Sequence, residues 1–237
     1  MALRGVVFDL FGTLVAGWGE QTAADKIGEV AEILGVDVPR FRELMNTTYT
    51  LRADGQLGDP AEMLQRLCAM IDEYPPAELV QRAAAHRIAQ FRNVLHDPLP
   101  EVRSLLAVLR DRQIGIGLIS DCSGETPQLW GVLDWTAPIQ APIFSYSEGV
   151  RKPDGILYRR VCDRLELAPD ECLYVGDGGS HELTGALRAG MIAYQFKPTR
   201  PDGQRGLQYD PEPDWRGPSV PALSAILPLL TPYRPEK

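Results

Sequence analysis

Long apolar runs, paired cysteines and an excess of positive charge are all missing from this sequence. Its four cysteines, Cys68, Cys122, Cys162 and Cys172, show no CxxC spacing, which argues against a zinc site and against a disulfide framework. Lys and Arg number 24 against 32 Asp and Glu, a formal net charge of −8. No clustered basic surface is therefore expected, and nucleic acid is excluded as a partner. No apolar stretch approaches the length that spans a bilayer, and the first one, VVF, is broken at once by Asp9. Neither a membrane segment nor a secretory leader is expected, and the expected location is the cytoplasm.

What remains is an ordinary globular composition, 44% hydrophobic and 24% charged over 237 residues. That is enough chain to bury one sizeable α/β core, with or without a smaller insert. Four apolar runs read as buried parallel strands: Gly5 to Phe11, Ile114 to Ser120, Cys172 to Asp177 and Ala193 to Phe196. Helical patterns lie between them: one from Pro100, one after Gly155, and SHELTGALRAG with Gly190 as its terminating glycine. Strand and helix alternate, so the spacing predicts a doubly wound parallel sheet of the Rossmann type. Ligands of such sheets collect at the carboxyl ends of the strands. Asp9, Ser120 and Asp177 all fall at such ends.

Residues 17–96 break the alternation. They read as several consecutive helices separated by proline and glycine. The expected organisation is an α/β core of residues 1–16 and 97–237, with an inserted helical cap domain over 17–96. Gly17 to Gly19 and Asn93 to Pro98 would be the linkers. Beyond Phe196 the chain carries nine of its twenty prolines and reads as a wrapping tail, ending in an apolar helix over PALSAILPLL.

Four separated segments, DLFGTLV at Asp9, LISDC at Ser120, VRKPDG at Lys152 and YVGDGGSHELTGALRAGM at Asp177 and Glu182, resemble in order the motifs of the haloacid dehalogenase (HAD) superfamily. The helical insert also sits where one class of members carries a cap. The resemblance implies a hydrolase in which Asp9 forms a covalent aspartyl intermediate. Gly12 and Thr13 would shape a turn whose backbone amides face the transferred group, and Ser120 would donate to the same group. Lys152, beside a proline that holds the chain extended, would neutralise nucleophile and substrate oxygens. Asp9, Asp177, Glu182 and the backbone carbonyl of Phe11 would hold Mg²⁺, Glu182 through water. Three carboxylates against one lysine leave −2, which a divalent cation brings to neutrality. Asp121 reads as the cap of the following turn, His181 as an exposed polar residue, and Cys122 as a reduced thiol. In the insert, Arg52 is the candidate to bind the leaving part of the substrate, its alternative being a solvated helix face. Trp18 would line the entrance.

Within the resemblance, Phe11 stands where phosphatases carry an aspartate that acts as acid and base. Dehalogenating members have an aromatic residue there, yet they generally lack the GDxxxxE/D carboxylates, and no arginine follows the first motif to hold halide. The reading favoured is a Mg²⁺-dependent phosphatase acting on a small anionic metabolite, as a monomer or homodimer. The alternatives are a 2-haloacid dehalogenase and a binding or scaffold protein with little turnover. If Phe11 leaves the site without an acid, leaving groups that depart unprotonated would be preferred, with His181 or a metal-ordered water assisting hydrolysis.

Overall fold

The computed structural model describes residues 2–198 and 208–230. The parts of the proline-rich tail at 199–207 and 231–237 lie outside the described residues. Six parallel strands form one sheet in the order β3-β2-β1-β4-β5-β6. They are β1 (Gly5–Phe8), β2 (Gly115–Ser120), β3 (Ala141–Phe144), β4 (Cys172–Gly176), β5 (Ile192–Phe196) and β6 (Ser219–Val220). Alternate side chains of β1 serve two cores. Val6 and Phe8 pack with Leu105, Leu106 and Leu109 on one face, while Val7 packs with Leu157, Tyr158, Val161 and Leu183 on the other. This two-faced burial explains why the strands read as continuous apolar runs rather than alternating ones.

Helix pattern and helix position agree closely. In chain order the insert holds α1 (Glu20–Leu34), α2 (Val38–Thr47), α3 (Tyr49–Ala53), α4 (Pro60–Ala69) and α5 (Ala77–His96). Asp37 caps α2, and Asp59 with Glu62 forms a capping box at the start of α4, each followed by a proline in the first turn. The insert has a hydrophobic cluster of its own, built on Val30, Leu34, Phe41, Met45, Leu64 and Leu67. Helix α5 runs unbroken through Asn93, which was expected to begin a linker, and buries Phe91 and Leu95 in the sheet's core. The core helices are α6 (Val102–Asp111), α7 (Glu125–Trp130), α8 (Ser145–Glu148), α9 (Gly155–Leu165) and α10 (Glu182–Arg188).

Three expectations are corrected. Strand β1 stops at Phe8, because the chain turns sharply at Gly12, where φ is +89°. The PALSAILPLL segment is a 3₁₀ turn over Leu223–Leu229 rather than an α-helix, since Pro228 removes an N–H and crowds the preceding turn. Strands β3 and β6 were not foreseen: β3 contains Pro142 and β6 has two residues, so neither carries a strand signature. Both are edge strands, where proline is tolerated. The Pro142 carbonyl accepts Arg164 Nη1 at 2.6 Å.

The strand order places the site. From β1 the chain goes to β2 on one side and later returns to β4 on the other, so a crevice opens at the carboxyl ends of β1 and β4.

Candidate active site

Asp9 and Asp177 stand where β1 and β4 end, and the Asp9 N–H donates to Val175 O at 2.9 Å, tying the two ends together. Lys152 Nζ bridges Asp9 Oδ1 (2.7 Å) and Glu182 Oε2 (2.6 Å). The Thr13 hydroxyl donates to the other Asp9 oxygen at 3.0 Å. Asp9, Asp177 and Glu182 each present an oxygen within 4.8 Å of the others. Segments more than a hundred residues apart in sequence thus converge on one carboxylate.

The electrostatics follow from burial. Desolvation, and next the Asp9 charge, push Asp177 up to about 6 and Glu182 up to about 8. Burial acts against the Lys152 charge too, but Asp9 and Glu182 outweigh it and hold the ammonium well above the usual lysine range. Glu182 is the most enclosed of the three. Its oxygens also accept from the Tyr174 hydroxyl (2.8 Å) and the Gly178 N–H (2.8 Å). Asp177 is freer, with the Gly179 N–H on Oδ1 at 3.0 Å.

The turn after β1 works differently from the expectation. The Gly12 and Thr13 amides do not face outward, because they donate within the turn to Val15 O (2.8 Å) and Leu10 O (3.3 Å). What Gly12 provides is a positive φ and room: a Cβ there would lie 2.3 Å from Asp177 Oδ2. Among the described residues, nothing accepts from the Leu10 and Phe11 amides. They, rather than Gly12 and Thr13, are the donors left for a ligand. Ser120 is fully buried at the end of β2, and its hydroxyl makes no hydrogen bond of ordinary length among the described residues. The Lys152–Pro153 peptide is cis rather than part of a simple extended run.

A cavity of about 170 Å³ lies over Asp9, Lys152 and Asp177. Phe11, Trp18 and Phe91 form an apolar wall, with Phe91 edge-on to both of the others at 6.2 and 5.0 Å. The far side is made by α3 and the tail, where Tyr49 stacks on Tyr209 with ring centroids 3.6 Å apart. Arg52 belongs to the cavity and not to a solvated face. It is 7% exposed, and its Nη2 donates to Met45 O at 2.6 Å. Its Nε has no partner, and it makes no ion pair among the described residues. Burial, and then repulsion by Arg87, lower it to about 10, so it stays charged at neutral pH.

Sequence reasoning overlooked several neighbours. Asp121 does not cap a turn; its Oδ1 accepts the Lys152 N–H at 3.0 Å, and its side chain lines the cavity. Arg87 of α5 pairs with the fully buried Glu125, whose other oxygen takes the Ser123 hydroxyl at 2.5 Å. A signal existed, since Arg87 interrupts the apolar stripe of Val80, Ala83, Ala84 and Phe91. His181 is 44% exposed, lies 3.3 Å from Asp210 and is not among the cavity residues. The Cys122 thiol is buried and pushed up to about 12 by desolvation, as suits an unreactive thiol.

A family model described as haloacid dehalogenase-like hydrolase matches residues 3–190. The chain belongs to this family. Solved structures of the same fold include a 2-haloacid dehalogenase from Pseudomonas syringae pv. Tomato DC3000, with TM-score 0.67, 21% identity and 96% and 97% of the two chains covered. Another is a HAD-family enzyme from Bacteroides thetaiotaomicron solved as a magnesium complex, with TM-score 0.63, 15% identity and 86% and 98% covered. In sequence, this HAD-like hydrolase is 29% identical over 122 residues to a glyceraldehyde 3-phosphate phosphatase from Methanopyrus kandleri. That match spans about half of each chain, 49% of this one and 47% of the relative. No helix among the described residues is long and apolar enough to cross a membrane.

Proposed function

We propose that this HAD-like hydrolase is a Mg²⁺-dependent phosphatase acting on a small phosphorylated metabolite through an aspartyl intermediate on Asp9. The observation that carries the reading is the clustering of Asp9, Asp177 and Glu182 within 4.8 Å under a cavity. Dehalogenation needs no such charge. The phosphatase name of the Methanopyrus kandleri relative and the magnesium complex of the Bacteroides thetaiotaomicron neighbour lean the same way.

Lys152 and Thr13 hold one oxygen of Asp9 each, which would fix its carboxylate for in-line attack. Lys152, the unpartnered Ser120 hydroxyl and the Leu10 and Phe11 amides would receive the phosphoryl oxygens. The donor set fits Mg²⁺: all oxygens, with a residual charge of −2 once Lys152 is counted and the three carboxylates are ionised, the state that a bound cation favours. Asp9, Asp177 and the Phe11 carbonyl would hold the ion, with Glu182, already bonded through both oxygens, standing behind them. When bound, Mg²⁺ supplies neutralising charge between nucleophile and phosphate. The insert, residues 17–96, would act as the cap, with Arg52 receiving a second anionic or polar group of the substrate.

Two outcomes are expected. Asp177→Ala should raise the Mg²⁺ concentration for half-maximal activity by more than about 100-fold, and Glu182→Gln by about 10–100-fold. An unchanged requirement in Asp177→Ala would remove that residue from the site. Arg52→Met, which keeps the volume, should lower kcat/KM for substrates with a second anionic group by about 10–100-fold, the worth of one charge-assisted hydrogen bond. A plain aryl phosphate should be nearly unaffected; equal losses on both would return Arg52 to a structural role.

A second reading, 2-haloacid dehalogenation, is favoured by the aromatic wall of Phe11, Trp18 and Phe91. Screening phosphorylated metabolites and short 2-haloacids, each with and without Mg²⁺, separates the two: phosphate release that needs Mg²⁺ supports the first, halide release without it the second.

A further inference from the structure

The site as described has no group for two proton transfers. A departing alkoxide must gain a proton, and the water that hydrolyses the aspartyl phosphate must lose one. Phe11 can do neither. His181 points away toward Asp210 and lies outside the cavity residues, so it is not the substitute that the sequence suggested.

Asp121 is differently placed. It directly follows Ser120 at the end of β2, and β2 pairs in register with β1, Phe8 opposite Leu118. Asp9 and Asp121 therefore leave neighbouring strands on the same side of the sheet, and both line the cavity. One Asp121 oxygen is engaged by the Lys152 N–H at 3.0 Å. The other, Oδ2, is buried and makes no hydrogen bond of ordinary length among the described residues, the Ser180 hydroxyl being the nearest donor to the carboxyl. A carboxyl oxygen taken out of water and left without a partner is costly unless it meets something in the working state.

We propose that Asp121 is the acid and base of this hydrolase, taking over at the end of β2 the work that Phe11 cannot do at the end of β1. The assignment rests on the phosphatase reading. In the first step, Asp9 forms a bond to phosphorus as the P–O bond to the leaving group breaks, and the Asp121 carboxyl passes its proton to the departing oxygen. In the second, water adds to the aspartyl phosphate and its proton goes to the Asp121 carboxylate. The phosphorus–Asp9 bond breaks, phosphate leaves, and Asp121 is again protonated.

The surroundings suit a group that must hold a proton and return it. Burial raises the carboxyl above the usual aspartate range, while Lys152, the Ser180 hydroxyl and Arg151 restrain the rise. Tyr49 of the insert, Cys122 of its own loop and Tyr158 of α9 are near enough to feel its charge. Of these, Lys152 and Arg151 are the cations whose charge favours the carboxylate.

The test is kcat/KM, with Mg²⁺, across aryl phosphates of graded leaving-group pKa and one alkyl phosphate, for wild type and Asp121→Asn. Asparagine keeps the oxygen that accepts from Lys152, so the tie between the loops survives. The wild type should show a shallow dependence on leaving-group pKa. Asp121→Asn should steepen it, losing about 10²–10⁴-fold on the alkyl ester and far less on the best aryl leaving group. A second aspartate, introduced as Phe11→Asp into Asp121→Asn, should restore part of the alkyl activity. A uniform loss across the series, or an unchanged slope, overturns the assignment while the phosphatase reading stands. A steep wild-type dependence overturns it without any variant. Failure of the wild type to hydrolyse any phosphate ester overturns both.

Discussion

Asp9→Asn is expected to abolish turnover, by at least about 10³-fold, with the fold intact. An amide has nearly the same shape as the carboxylate it replaces but cannot attack phosphorus or carbon. Both contacts can persist: the amide oxygen still accepts from Lys152, and the amide nitrogen can donate to the Thr13 hydroxyl, which accepts as readily as it donates. Loss of one negative charge beside Asp177 and Glu182 also relieves repulsion. Thermal unfolding within a few degrees of wild type, together with no product in the most sensitive assay, is the expected pair of results. Retained activity in the purified variant would end the covalent mechanism.

Arg87→Met should cost about 3–5 kcal/mol of stability, because it leaves the buried Glu125 carboxylate uncompensated. The arginine is 4% exposed, donates to Glu125, and lies with its guanidinium 5.0 Å from the Phe91 ring. Burial alone would raise Glu125, yet Arg87 and the Ser123 hydroxyl more than offset it and hold the carboxyl below the usual range. The sign follows: the pair contributes fully at neutral pH and is lost as pH falls through the folded-state value of Glu125. Urea unfolding at neutral pH should therefore show the full deficit, and the two proteins should converge in acid. Replacing both partners, as Arg87→Met with Glu125→Met, should recover most of the loss. A single variant within about 1 kcal/mol of wild type at neutral pH would mean that the pair is far better solvated than its burial indicates.

The residues that sequence reasoning placed best are those at strand ends. Asp9, Ser120 and Asp177 could be named because an apolar run that stops at a polar residue says both where a parallel strand ends and which side chain stands there, whereas Lys152, in the loop before α9, and Glu182, the first residue of α10, could be named only through the resemblance of their motifs. Their convergence was implied by the alternation of strand and helix. Asp121, Arg87, Tyr49 and Tyr209 escaped for one physical reason: whether each faces the cavity depends on how a loop, the insert or the tail is set against the sheet. No period in the sequence encodes that. Gly12 and Thr13 were given a task that their amides do not perform, since a turn of that tightness uses its own amides internally. The two edge strands were missed because one holds a proline and the other is barely a strand.

Those same edges decide how the molecule behaves among its own copies. An open parallel sheet invites growth, since each outer strand can present unbonded N–H and C=O groups to a strand from another chain. Here one outer strand has only two residues. The other has at Pro142 no N–H to offer and a carbonyl already taken by Arg164. A foreign strand arriving at either side finds too little to pair with, so the sheet is blunted against strand-by-strand aggregation at both ends.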